Sequence, residues 1–216
     1  MGRIRHLALL AAVLVALAAA ASAVGRTPAI RSKAAPRTTA AKIGVQSFQW
    51  KTWWGLQSYS GSSVTLSSTP PTTAAETHSS LITTKRTWQD STISFAATTQ
   101  QQLRLGTAPN PWEVGWVLFR FQDLANYYWF MLKTNGFELG KKQGSDEQIF
   151  LATGDLPAAA VGQTRQIRVR AQGPRIQVFV DGSKVVDYVD PKPLGAGSVG
   201  LYEEDSQARF DSLSIS

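Results

Sequence analysis

The residues best equipped for chemistry cluster between Trp116 and Lys141. In an extended strand, successive side chains point to opposite faces. Along Trp116-Val-Leu-Phe-Arg-Phe-Gln-Asp123, Val117, Phe119 and Phe121 then form one apolar face, while Trp116, Leu118 and Arg120 point the other way. From Asn126 to Lys133, Tyr128, Phe130 and Leu132 make the apolar set, opposite Tyr127, Trp129, Met131 and Lys133. Phe137 and Leu139 alternate in turn with Glu138 and Gly140. Paired as a meander, the three segments present Trp116, Arg120, Tyr127, Trp129, Lys133 and Glu138 on one face. That mixture suits a sugar, whose C–H patches lie flat on aromatic rings and whose hydroxyls take ionic partners of both signs. A ring covering about a third of an aromatic side chain gains roughly 1.5–2 kcal/mol at about 25 cal/mol/Å². Two or three such contacts correspond to a Kd on the order of 1 mM before ordering costs. The competing arrangement places this face beneath another sheet or loop, with Arg120 and Glu138 as a structural ion pair.

Other motifs carry less. Gly195-Ala-Gly-Ser-Val-Gly200 spells G-x-G-x-x-G, but a dinucleotide site needs a strand before it and a helix after it. Here Pro191 and Pro193 precede the motif and the strand-like Val199-Gly-Leu-Tyr202 follows, so it reads as a glycine-rich turn. The chain has no Cys and only His6 and His78, which argues against a zinc or copper site and leaves a Ser-His-Asp triad dependent on His78 alone.

The elements that must position these residues are strands. Runs rich in Val, Ile, Thr and aromatics recur from Ser63 to Ser214, punctuated by Pro70-Pro71, Pro109-Asn110-Pro111, Asn135-Gly136, Gly173-Pro174 and Asp181-Gly182. Arg175–Val180, Asp181-Gly182 and Ser183–Tyr188 spell a hairpin whose turn needs positive φ. No segment holds a helical period over three turns. Many short strands with turns between them predict an all-β sandwich or barrel.

The N-terminus reads as an export signal. Arg3, Arg5 and His6 precede an apolar run from Leu7 to Ala20, and Ala21-Ser22-Ala23 places cleavage after Ala23. Residues 24–43 are rich in Ala, Thr, Arg and Pro and predict a basic disordered linker, leaving 44–216 as the folded domain. The net charge of +7 sits outside that domain: from Ser47 onward, fifteen Lys and Arg face fifteen Asp and Glu. A neutral domain lacks the electrostatic footprint of a nucleic-acid binder. The expectation is a secreted monomer, off the membrane once the signal is removed.

Trp116–Asp123, Asn126–Phe130 and Gly136-Phe-Glu-Leu-Gly-Lys141 resemble the middle of a concanavalin A-like jelly roll, a β-sandwich of two antiparallel sheets. Ile176-Gln-Val-Phe-Val-Asp-Gly182, Gly200-Leu-Tyr202 and Ala208-Arg-Phe-Asp211 extend the likeness. The chain is similar to laminin-G-like modules and to the three-keto-disaccharide hydrolase domain family. Sandwiches of this type host lectins, binding modules, hydrolases and lyases, so the fold alone leaves the activity open. By the same resemblance Glu204, Asp205 and Asp211 are candidates for a structural calcium ion, against a solvated loop, and no other cofactor is implied.

Three functions follow. The leading one is a non-catalytic polysaccharide- or oligosaccharide-binding protein, with Trp116, Tyr127 and Trp129 as platforms and Arg120, Lys133 and Glu138 for hydroxyls or carboxylates. The second is an enzyme. Resemblance to lyases of this fold has Arg120 neutralising a uronate while Tyr127 or Lys133 moves the proton, although the histidine that often accompanies them is missing. A glycosidase would pair Glu138 with Asp123 or Glu113 about 5–10 Å away, yet the family's E-x-D-x-x-E pattern is absent. The third is a wall or adhesion module.

Overall fold

The computed structural model describes residues 44–216; the expected export signal and basic linker lie outside them. A short 3-10 turn, Gly44–Ser47, leads into β1 (Trp50–Trp54), β2 (Leu56–Ser60), β3 (Ser63–Ser67), β4 (Ser79–Trp88) and β5 (Ser91–Gln102). The middle of the chain holds β6 (Gly115–Asp123), β7 (Asn126–Lys133), β8 (Gly136–Gln143) and β9 (Ile149–Gly154). The last third supplies β10 (Thr164–Gln172), β11 (Arg175–Val180), β12 (Ser183–Val189), β13 (Gly197–Glu204) and β14 (Ser206–Ile215).

These strands make two antiparallel sheets of seven. The first runs β1-β4-β13-β6-β7-β8-β9, and the second β12-β11-β10-β5-β14-β3-β2. The crossovers between distant strands identify the jelly-roll sandwich that the sequence predicts. Alternation drives it: in β10, Ile167, Val169 and Ala171 turn inward, while Arg168 and Arg170 face water. The inner faces meet in one core containing Leu66, Ile93, Phe119, Tyr128, Phe130, Leu139, Val178, Leu201 and Phe210. Fully burying such side chains contributes about 1.5–3 kcal/mol each, which lets a domain without disulfides fold.

Most strands fall within the stretch the sequence marks, and β11 matches residue for residue. Three lie beyond its reading. β1 has a register shift between Thr52 and Trp54 that breaks its alternation. β2 is exposed along its whole length at a sheet edge. β9 is a short strand at the other sheet's edge. The β11–β12 turn is as expected, with Asp181 at φ 48° and Gly182 at φ 84°.

Candidate functional site

The outer face of the first sheet carries the candidate site, and no helix or strand among the described residues lies over it. Its floor is a second apolar cluster of Leu81, Val114, Trp116, Leu118, Phe121, Trp129 and Met131, flanked by half-buried Trp53, Trp54, Trp112, Tyr127 and Tyr202. Trp116 and Trp129 lie 6.3 Å apart between ring centroids, and Tyr127 is 6.1 Å from Trp129. Glu138 on β8 accepts a hydrogen bond from the Trp129 indole N–H at 3.1 Å and pairs with the Lys133 ammonium at 3.4 Å. The fold therefore brings Trp116, Tyr127, Trp129, Lys133 and Glu138 together on one face, away from the inter-sheet core.

Two corrections follow. The first is that Trp116 and Trp129 are not open platforms, with 5 % and 0 % of their surface exposed. The aromatic side chains pack against one another. The Trp129 indole also lies on Gly140, where an added Cβ would sit 2.2 Å from the ring. Glu138 is buried too, its carboxylate spent on Trp129 and Lys133.

The second concerns Arg120, which leaves the face altogether. The β6–β7 register shifts between Phe119 and Asp123, and Arg120 takes φ 45°. This bulge exchanges the faces beyond it: Phe121 joins Trp53 and Tyr127 on the outer side, and Arg120 turns to the end of the sandwich. There its guanidinium donates to the carbonyls of Gln89, Gly173 and Leu194 at 2.7, 2.7 and 3.2 Å, tying three loops together. Nearby, the Tyr128 hydroxyl donates to Asp190, which also pairs with Lys141 at 2.8 Å. These buried polar groups are structural.

The acidic run is dispersed as well. Asp205 pairs with Arg104, which also binds Glu113. Asp211 stands on β14 in the other sheet, paired with Arg209 at 2.9 Å. Glu204 lies near the Tyr202 hydroxyl at 3.4 Å on the outer face. The three carboxylates proposed for calcium do not converge, and among the described residues no cluster of three ligating side chains could hold a metal. Arg104 is the residue that sequence reasoning missed. It bridges Glu113, nine residues on, to Asp205, a hundred and one residues on, and the second contact has no local signal.

The accessible part of the face lies toward β1. Lys51, Trp53, Thr83, Thr84, Lys85, Phe121, Gln122 and Ser198 line a shallow, open cleft of about 380 Å³. The register places Lys51 opposite Thr83, and the Trp53 indole N–H donates to the Thr83 hydroxyl at 3.0 Å. The Lys51 ammonium sits 3.5 Å from the Trp53 ring centroid. Across the sheet Phe150, 56 % exposed, packs edge-on to Trp129. Burial pushes Tyr127 up to about 12, with the Glu204 carboxylate adding to it. Burial and the Asp205 charge raise Glu204 to about 7.

A jelly roll of two seven-stranded antiparallel sheets places the molecule among concanavalin A-like domains. The chain belongs to the 3-keto-alpha-glucoside-1,2-lyase-like domain family, whose pattern matches residues 44–216. Among solved structures it is similar to the carbohydrate-binding module CBM66 from Bacillus subtilis, at 19 % identity and TM-score 0.63, over 77 % of this chain and 94 % of that one. A Bacillus subtilis protein of unknown function with a galectin-like fold shares 12 % identity and TM-score 0.55, over 79 % and 89 % of the two chains. The exoplasmic/lumenal domain of VIP36, in a Ca²⁺/Man-bound form, shares 13 % identity and TM-score 0.54, over 77 % and 82 %. These likenesses establish the fold. A search of curated protein sequences finds no match.

Proposed function

We propose that this protein is an exported carbohydrate-binding protein that takes a polysaccharide across the outer face of its first sheet. The observation that carries the reading is the cleft of about 380 Å³ at Trp53 and Phe121, at the accessible edge of an aromatic layer whose Trp116 and Trp129 are themselves buried. Its volume lies in the usual range for small-molecule sites, about 300–1,000 Å³. Trp53 and Trp54 on β1 and Phe150 on β9 stand at opposite edges of a seven-stranded sheet. At about 4.8 Å per strand that is roughly 29 Å, room for several sugar units. The names of CBM66 and of mannose-bound VIP36 agree with a sugar ligand. Cleavage after Ala23 would deliver the domain to the cell envelope or beyond.

The test is binding by wild-type protein and Trp53→Ala to a panel of soluble polysaccharides. Losing about 1.5 kcal/mol of stacking should weaken binding roughly tenfold, with little change in melting temperature because Trp53 is only half-buried. Unchanged affinity would remove the cleft from the ligand path.

The family's name supports a second reading, a lyase acting on keto-glucosides. Elimination needs a base poised near the working pH. Tyr127 is held too high, Lys133 is engaged by Glu138, and Arg120 is turned away. Glu204, near 7, is the candidate that remains. Turnover of a 3-keto-α-glucoside by wild type, abolished in Glu204→Gln, would favour the enzyme.

A further inference from the structure

We infer that the cleft at β1 selects an acidic sugar unit, one bearing a carboxylate or a sulfate; this rests on the reading of that face as a carbohydrate site. Two of the cleft's lining residues are lysines, and none is acidic. Lys51 and Lys85 are both exposed, and neither forms an ion pair among the described residues. Lys133, Lys141, Lys142 and Lys184, by contrast, are paired with carboxylates, so the cleft holds two of the domain's three lysines that form no ion pair among the described residues, Lys192 being the third. The acids nearest the lining residues in sequence are engaged elsewhere: Asp123, next to Gln122, accepts from the Ala125 amide at 2.8 Å and from Asn126, and Asp90, five residues from Lys85, accepts from the Gly173 amide at 2.9 Å and pairs with Arg120. Two ammonium groups with no counter-charge, beside low-dielectric walls of Trp53 and Phe121, focus positive potential into the cleft.

The position of Lys51 sharpens the selection. Its ammonium rests on the Trp53 indole, 3.5 Å from the ring centroid, a cation–π contact. A neutral pyranose stacking there must displace the cation and gains nothing from it. An acidic unit instead draws the cation off the ring onto its own anionic group, while its C–H face takes the indole. The remaining polar atoms suit hydroxyls. The Ser198 hydroxyl bonds to no other side chain among the described residues, and Gln122 donates only a long 3.3 Å bond to the Ala196 carbonyl.

The experiment compares polygalacturonate, dextran sulfate and neutral dextran, titrated at low and high salt into wild type, Lys51→Gln/Lys85→Gln and Trp53→Ala. All proteins carry the full mature chain, so any pull of the basic N-terminal segment on polyanions is common to them. Wild type should bind at least one acidic polymer tenfold or more tighter than neutral dextran at low salt, and salt should shrink the gap. The double variant should lose the preference through weaker binding of the acidic polymers, while neutral dextran, no longer competing with Lys51 for the Trp53 ring, binds no more weakly than to wild type. Preference for polygalacturonate over dextran sulfate identifies a carboxylate, and the reverse a sulfate. Equal binding of neutral and acidic polymers, or a preference as large in the double variant as in the wild type, overturns the inference and leaves the carbohydrate reading standing. No binding to any of the three, nor to other polysaccharides, overturns the carbohydrate reading itself.

Discussion

Trp129 shows how one residue can belong to a candidate binding face and still be structural. It sits on the outer side of the sheet, yet Trp116, Tyr127, Phe150 and the bare backbone of Gly140 enclose it, and Glu138 fixes its N–H. Removing the ring leaves a cavity and a buried carboxylate without one of its partners. Trp129→Ala should therefore cost about 3–5 kcal/mol of stability, read as a lowered denaturation midpoint with unchanged slope. A midpoint close to wild type would mean that the aromatic layer is looser than its packing indicates. The contrast with Trp53 is the useful one: there, the same substitution should act on binding and spare the fold.

At the scale of elements, hairpin turns and bulges decide where side chains go. The β11–β12 hairpin closes through Asp181 and Gly182, both at positive φ, a turn whose twist matches the flanking strands. Space around Gly182 is open, with no heavy atom within 4 Å of an added Cβ, so the objection to a side chain there is conformational. Gly182→Val should destabilise the domain by about 1 kcal/mol or more, because β-branched residues avoid that region. Thermal melts of the pair check this, and equal melting temperatures would show that the turn relaxes at no cost. The β6 bulge at Arg120 has the larger consequence. One residue out of register sends a guanidinium to the loops and a phenylalanine to the outer face.

For the whole molecule, the end of the sandwich near Glu203 ties stability to pH. Glu203 is buried, with one carboxyl oxygen held by Ser206 and Ser68 and the other without a hydrogen-bond partner. Burial chiefly, with the neighbouring Asp205 charge, pushes it up to about 8, and Glu204 is raised to about 7 in the same way. A raised carboxyl holds its proton in the folded chain after the unfolded chain has lost it. Stability should therefore fall as pH rises from about 4.5, the ordinary carboxyl value, through about 8, by an amount on the order of a few kcal/mol. Melting temperatures between pH 4.5 and 8.5 should decline, and Glu203→Gln should flatten the decline. A level profile in the wild type would contradict the burial of these acids as free carboxyls.

The sequence by itself determined the sandwich, most of its strands, the Asp181-Gly182 hairpin and the grouping of Trp116, Tyr127, Trp129, Lys133 and Glu138 on one face. Each of these follows from period-two alternation or from turn chemistry, both of which are local. What only the tertiary structure decided was non-local. The rotation of Arg120 depends on a register shift against β7, and the depth of Trp129 depends on rings from β6 and β9. The capture of Asp205, at the β13–β14 junction, by Arg104 depends on a contact between residues 101 apart in the chain. The cleft at Trp53 needs β1 beside β4, a pairing across a long stretch of chain that no alternation in Trp50–Trp54 announces. Strand patterning states which side of a sheet a residue takes; how deeply it is covered, and by what, is fixed only when distant strands meet.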